Sequence, residues 1–287
     1  MSAVVADVVA ARVPERSWRS EARAVRIIWH RELVRFLGDR TQMVMALVQP
    51  LLFLFMLGSG LESLSAASTG GVDLRTFLLP GVLCMAVLFT ALFRAASLVW
   101  DRELGFLWEM LVAPVSRSSI VVGKCLGGAT IAASQGVVVL ALAGLVDVPY
   151  DPLLLLGLFG LMLLLAFTVT AFGVLVAVSI KQAQTFTSMM QLVLMPMFFA
   201  SGALYPVSEL PTWLGVVNRL DPLTYAVDPA RHLVFGHLEI SDAARRTLDP
   251  GVTWWGWQLP PAFEAALVLV LGLAMMALAI RRFSRAE

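Results

Sequence analysis

The chain has 287 residues, of which 59% are hydrophobic and 14% charged, and its formal net charge is +1. So apolar a composition excludes an ordinary soluble domain, and so small a net charge excludes a general basic surface for nucleic acid. The two cysteines, Cys84 and Cys125, fall within or beside apolar runs; they are expected to be small buried residues and not a disulfide framework or a thiolate metal site.

Residues 1–40 form a polar, arginine-rich arm with Arg12, Arg16, Arg19, Arg23, Arg26, Arg31, Arg35 and Arg40. No short basic head followed by an apolar core and a small-residue cleavage site occurs, so the arm is expected to stay on the chain. From Trp18 onward the spacing is helical. Trp18, Ala22, Val25, Trp29, Leu33 and Phe36 share one predicted face, while Arg16, Arg19, Arg23, Arg26 and His30 share the other. That is the build of a helix lying at a membrane interface, with Trp18 and Trp29 at headgroup depth and Arg19, Arg23 and Arg26 reaching water or anionic lipid.

Residues 41–287 read as one membrane body with six predicted spans at about 43–61, 77–99, 120–146, 153–178, 185–204 and 262–280, each near the roughly 20 residues a bilayer needs. Between spans two and three lies the most charged stretch of the middle of the chain, RAASLVWDRELGFLWEMLVAPVSRSSIVVGK, from Arg94 to Lys124. Read as one helix over 101–112, it places Leu104, Leu107, Trp108 and Leu111 on an apolar stripe that packs on the spans. Arg102, Gly105, Phe106 and Glu109 then face a soluble partner, and Pro114 stops the helix. Between spans five and six, Pro206, Pro211, Pro222 and Pro229 cut a second apolar stretch, residues 206–231, into pieces too short to span and too apolar for a plain loop. Such pieces read as re-entrant or interfacial helices. Trp254, Trp255 and Trp257 read as an aromatic belt where the chain re-enters the membrane.

Six spans put both termini on one side. Sixteen of the 21 Lys and Arg residues fall on the side of the termini and the central loop, so that side is expected to be cytoplasmic. Within the spans, Asp, Glu and His are nearly absent, which argues against a carrier driven by protons or sodium. Gly123-Lys124 fails as a phosphate-cradling loop, because Ser118 stands where its first glycine belongs and Cys125 where Ser or Thr belongs. The chain therefore carries no expected ATP site and is not expected to be an enzyme. The histidines, His30, His232 and His237, all lie outside the apolar runs, so no span offers a general base. A cluster in span five (Met189, Met190, Met195, Met197, Phe198, Phe199) has the softness to line a path for bulky apolar cargo or to pack ordinarily.

Two motifs in this order resemble the ABC-2 type permeases, the membrane halves of ATP-driven exporters of the daunorubicin-resistance type. The first comprises Asp101, Arg102, Glu103, Gly105, Phe106, Glu109, Pro114 and Arg117. The second comprises Pro206, Leu210, Pro211, Trp213, Leu214, Asp221, Pro222, Leu223, Thr224 and Tyr225. The resemblance covers roughly residues 20–285. It implies an all-α membrane fold with an N-terminal amphipathic connecting helix, six spans, a cytoplasmic coupling helix and re-entrant short helices between spans five and six, as in type V exporters. It also implies two copies of an ATP-binding subunit as partners, which would hold the ATP and Mg. A second permease subunit, making a homodimer, surrounding membrane lipids, a cell-membrane location and an amphipathic drug, lipid or glycolipid-like cargo complete the expectation. The competing class is a membrane enzyme acting on lipid precursors, for which Glu209, Asp221 and Asp228 are the candidate acids.

Overall fold

The computed structural model describes residues 17–60, 73–112, 115–146, 148–206, 211–238, 240–254 and 256–286. It is helical almost throughout. Helix α1 (Trp18–Gly38) leads through Asp39 into α2 (Arg40–Leu52), which continues through a wider turn over Phe53–Leu57 to Gly60. Pro50, within the regular part of α2, precedes the wider turn. Then come α3 (Leu74–Ala95), α4 (Ser97–Glu103), α5 (Phe106–Val112), α6 (Arg117–Leu140), α7 (Pro152–Ala177), α8 (Ala183–Ala200), α9 (Thr212–Leu220), α10 (Thr224–Gly236) and α11 (Asp242–Leu248). A two-residue hairpin, β1 (Thr253–Trp254) and β2 (Trp257–Gln258), precedes the last helix, α12 (Pro261–Ala286).

Among the described residues, five helical stretches are long and apolar enough to cross a bilayer: Arg40–Gly60, Leu74–Glu103, Arg117–Leu140, Pro152–Ala177 and Pro261–Arg285. The fifth of the six expected spans corresponds to α8, which is not among them; its 18 residues include Gln184, Gln191 and Pro196. Helix α3 is the centre of the bundle, with 89% of its most apolar window buried, and α6, α7 and α10 pack around it. Helix α7 lies between α3, α6 and α12. Helices α2 and α12 are the outer pieces, with only 17% and 22% of their windows covered. The main cluster of aliphatic and aromatic side chains runs through the bundle from Ile28 to Phe283, and a smaller one gathers Tyr225, Val252, Leu259 and Val268.

Helix α1, expected to meet lipid through its tryptophan face, buries a neighbouring stripe against the bundle. Its buried stripe is Ala24, Ile28, Glu32 and Phe36, about one position away, and Trp18 is exposed. The reason is its partner. Helix α1 follows the first half of α6, where Gly123 and Gly127 stand four residues apart. A Cβ on Gly123 would sit 2.8 Å from Ile28 Cβ, and one on Gly127 would sit 2.8 Å from Glu32 Cβ. Two glycines at this spacing make a groove in α6 that admits the backbone of a second helix, and α1 fills it. Trp29 then reaches across to donate its Nε1–H to Thr130 Oγ1 at 3.1 Å.

The segment expected at 101–112 is two helices and not one. The chain is helical to Glu103, breaks at Leu104 and Gly105, and resumes at Phe106. Gly105 has φ +82°, a left-handed conformation that ends a helix and that residues with a Cβ avoid. The break turns Leu104 out to 62% exposure, so it is not part of the packed stripe, while Leu107 is buried. The second expected region does hold two short helices, α9 and α10, which meet at Asp221, Pro222 and Leu223.

Candidate functional site

The charges of the central segment converge at the end of the bundle where α4 stops. Ser97 and Asp101 are four residues apart, on one face of α4. Lys124, about two turns into α6, faces them. Its Nζ donates to Glu32 Oε1 at 2.7 Å, to Ser97 Oγ at 3.0 Å and to Asp101 Oδ2, so all three of its donors are used. Asp101, 1% exposed, also accepts from Arg31 Nη2 at 2.5 Å and Arg35 Nη1 at 3.1 Å. Lys124, Glu32 and Asp101 therefore form a buried ionic knot that fastens α1, α4 and α6 together, with Arg31 and Arg35 closing it toward solvent. Burial alone would raise the Glu32 carboxyl, but the Lys124 ammonium and its hydrogen bond, helped by Arg31, outweigh it and hold the group below the usual carboxylate range.

The next two residues do the same for other helices. Arg102 donates to three backbone carbonyls at the end of α7: Ile180 O at 2.7 Å, Ala177 O at 3.2 Å and Val178 O at 3.3 Å. These are the carbonyls a helix C-terminus leaves unbonded, and a cation there also suits the helix dipole. Glu103 Oε1 accepts from the Ala183 N–H at 2.8 Å, satisfying a free amide in the first turn of α8. Further on, Arg117 Nη1 donates to Ser284 O in the last turn of α12 at 3.0 Å. Ser116 caps α6, and its hydroxyl and that of Ser119 both donate to the Glu21 carboxylate of α1, at 2.5 and 2.6 Å.

Of the residues expected to face a soluble partner, Arg102 is turned inward as a cap, and so are its neighbours Asp101 and Glu103. Gly105 is open, with no atom within 4 Å of where a Cβ would stand. Phe106 is 47% and Val112 is 85% exposed, so with Leu104 they are apolar side chains left uncovered on either side of Gly105. The side chains of Trp108, Glu109 and Leu111, like Pro114, lie outside the described residues. The sequence reading missed Arg31, Glu32, Arg35, Ser97 and Lys124 as members of this site. Nothing local marked them, because pairs 92 and 23 positions apart leave no pattern in the sequence.

The second motif is a set of caps at the opposite end of α3 and α8. Asn218 Nδ2 donates to Ala200 O at 2.8 Å and to Thr224 Oγ1 at 3.1 Å. Asp221 Oδ1 accepts from Leu223 N–H at 2.9 Å, and Asp228 Oδ2 from Val252 N–H at 3.1 Å. Burial pushes the Asp221 carboxyl up to about 7, with the Leu223 amide opposing. Tyr225 donates to Arg219 O and accepts from Trp254 Nε1. Trp213 is exposed; Pro206, Pro211 and Pro222 frame the turns. Asp221 and Asp228 are thus each engaged with backbone, and Glu209 lies outside the described residues. The methionine and phenylalanine cluster of α8 divides: Met190 and Phe198 face the core, whereas Met189, Met195 and Phe199 are about half exposed. Trp254 and Trp257 both pack edge-on against Phe263 at the start of α12; Trp255 lies outside the described residues.

A multi-pass helical bundle with one charged end, where a short helical loop is tied to the ends of most other helices, is the architecture of a membrane permease and not of a soluble domain. The chain belongs to the ABC-2 type transporter family, whose profile matches residues 23–235. It is 31% identical over 196 residues to Nodulation protein J of Rhizobium leguminosarum bv. trifolii, covering 67% of this chain and 73% of that one. It is 28% identical over 195 residues to the putative transport permease ycf38 of Cyanophora paradoxa, covering 67% of each. To the inner membrane transport permease YadH of Escherichia coli (strain K12) it is 26% identical over 220 residues, covering 76% of this chain and 84% of the other. It is therefore a transmembrane permease of an ABC transporter.

Proposed function

We propose that this chain is the membrane half of an ATP-driven exporter, working as a homodimer with two copies of an ATP-binding subunit, in which α5 is the coupling helix. The observation that carries the reading is the clamp: consecutive residues Asp101, Arg102 and Glu103 hold α1 with α6, the end of α7 and the start of α8. A displacement of α5 is passed through that clamp to four helices at once. The exposed side chains of Leu104, Phe106 and Val112 supply the contact with the ATPase, and the charged residues supply the transmission; this divides roles that a single docking face would have combined. Six crossings are supported by the course of α8. It begins at Glu103, where α4 ends, and the chain after it brings Ala203 O against Gly81 near the start of α3. It therefore runs alongside most of the α3 and α4 stretch, from the level of Glu103 to that of Gly81. The excess of positive charge at the clamp end favours that end as cytoplasmic, with both termini there, in a cell or inner membrane. Cargo is an amphipathic drug, lipid or glycolipid-like molecule leaving the cytoplasm or the inner leaflet.

The test separates docking from transmission. The chain is co-purified with its ATPase, and export is followed in proteoliposomes. Phe106→Asp is expected to lose the ATPase from the complex. Arg102→Gln and Glu103→Gln are expected to retain it, hydrolyse ATP and fail to export. ATPase retained by Phe106→Asp, or export unchanged in both clamp variants, would overturn the assignment.

A further inference from the structure

Beside the clamp lies a cavity of about 260 Å³ between the end of α1, the start of α2 and α3, lined by Phe36, Gln42, Met45, Thr90, Phe93 and Arg94 among others. Arg94 is 6% exposed. Its Nη2 donates to Gln42 Oε1 at 2.6 Å, and its guanidinium lies 5.4 Å from the centre of the Phe36 ring. Among the described residues it is paired with no carboxylate. The nearby acids are committed elsewhere: Glu32 to Lys124 and Arg31, Asp39 to the Gln42 N–H. Thr90, one helical turn before Arg94, is also buried, and its Oγ1 has no hydrogen-bond partner. Glu32 and Asp39 act on Arg94 through space but not in contact, and a buried guanidinium bonded only to a neutral amide, with an orphan hydroxyl on the same helix face, is costly unless something fills the space between them.

The depth of the cavity and the surface beyond it indicate what fills it. Helix α1 carries arginines along its length, and α2 opens with Arg40, so the hydrocarbon begins about where Gln42 sits. An arginine at that level is at headgroup depth. The cavity reaches the surface past Met45, which is 64% exposed. From there Met45, Val48, Leu52 and Met56 continue along α2 as one uncovered apolar stripe, roughly 16 Å long at about 1.5 Å per residue. A polar, cationic head site that runs into an apolar stripe matches a molecule with an anionic head and an acyl tail.

We propose that this cavity binds the anionic head of a membrane phospholipid, its phosphate held by Arg94, Thr90 and Gln42 and its chain laid along α2. Placement in the cytoplasmic leaflet rests on the orientation proposed above; the binding itself does not.

The full chain is reconstituted in nanodiscs containing equal phosphatidylglycerol and phosphatidylcholine, extracted in mild detergent, and the retained lipid is counted by native mass spectrometry. No ATPase is needed, so failure here is distinct from failure of the coupling assignment. Wild type is expected to retain phosphatidylglycerol over phosphatidylcholine by about tenfold. Arg94→Gln is expected to lose that preference, Thr90→Val to weaken it, and Arg94→Lys to keep most of it, which guards against loss by misfolding. Equal retention of the two lipids, or an Arg94→Gln chain as selective as wild type, would overturn the proposal. Displacement of the lipid by millimolar inorganic phosphate would make this a free-anion site and would also overturn it. So would efficient disulfide formation between Met45→Cys chains in the dimer, because a second copy would then cover the stripe.

Discussion

Replacing Lys124 by methionine keeps the length of the side chain and removes the charge at the centre of the clamp. Two buried carboxylates share that ammonium, Glu32 at 2.7 Å and Asp101. Asp101 keeps Arg31 and Arg35 after the change, so the loss falls on Glu32, whose remaining partner is Arg31 at 3.3 Å. Removing one member of a buried pair costs about 3–5 kcal/mol because the other is left charged and desolvated. Here the penalty has an escape: Glu32 is on α1, and lifting α1 off α6 returns the carboxylate to water. The expected outcome is therefore local. Helix α1 opens more often by about 2 log units, taking roughly 3 kcal/mol at about 1.4 kcal/mol per tenfold, while α3 and α7 stay protected. Hydrogen exchange on peptides covering 18–38 in nanodiscs measures it, with peptides from α3 and α7 as the internal reference. Adding Glu32→Gln to Lys124→Met is expected to restore part of the protection, because the uncompensated charge is then gone. A loss of protection below about threefold in α1, or an equal loss in α3 and α7, would refute the account of what this knot holds.

Three further outcomes are expected. Gly127→Leu places a side chain where Glu32 Cβ already lies, so α1 peptides lose protection as in Lys124→Met, whereas Gly215→Ala, in open space on α9, changes nothing. Arg102→Gln leaves the end carbonyls of α7 without their cation, worth about 1–2 kcal/mol at a helix terminus; exchange at Val178 to Ile180 speeds up, and restoration of wild-type protection by Arg102→Lys would count against a forked, three-carbonyl contact. Asp221 has a folded pKa raised to about 7, so its contribution is fully present below the ordinary carboxylate range and is lost as pH rises through 7. The thermal midpoint of Asp221→Asn should therefore exceed that of wild type by a margin that grows from pH 4 to 7 and then levels. A margin independent of pH would show that the carboxyl does not titrate there.

The spans and the two motifs were legible because each is a local pattern: an apolar run, a proline-punctuated segment, a cluster of charges between two runs. The partners of the charges were not, because Glu32 finds Lys124 only when α1 drops into the Gly123 and Gly127 groove, and neither glycine announces which helix will occupy it. The buried stripe of α1 was hidden for the same reason. Tryptophan spacing marks where a helix would meet lipid, but the interior position went to Glu32, an acid that only a buried ammonium makes admissible. Arg102 was assigned to the surface because an arginine in an amphipathic segment ordinarily is; the open carbonyls of α7, 75 to 78 positions away, reversed that. The helix break at Gly105 was within reach of the sequence, since a glycine after a charged turn is a usual stop. It was masked by an apolar periodicity that continues across the break.

The position of the clamp bears on which parts of the bundle can move. Its contacts with α7 and α8 are made at helix ends, to the Ile180 carbonyl and the Ala183 amide, so a push from α5 is delivered to the helix ends and not against their sides. Helix α3 is buried by α6 and α7 and is nearly continuous with α4, so those three helices, with α1 riding in the α6 groove, are constrained to shift as one body. Helix α2 has few such constraints and exposes most of its apolar surface, whereas α12, though outermost, packs along α7 and is tied to the start of α6 through Arg117. Under the coupling proposed for α5, a stroke entering at the clamp would displace the α3, α6 and α7 core relative to α2, straining first the contact of Arg94 on α3 with Gln42 on α2. The lipid-binding cavity lies in that same seam. If α5 acts as the proposed coupling helix, a phospholipid head between Arg94 and Gln42 would be gripped or released by its stroke, and the retention of that lipid is then expected to change when ATP is bound.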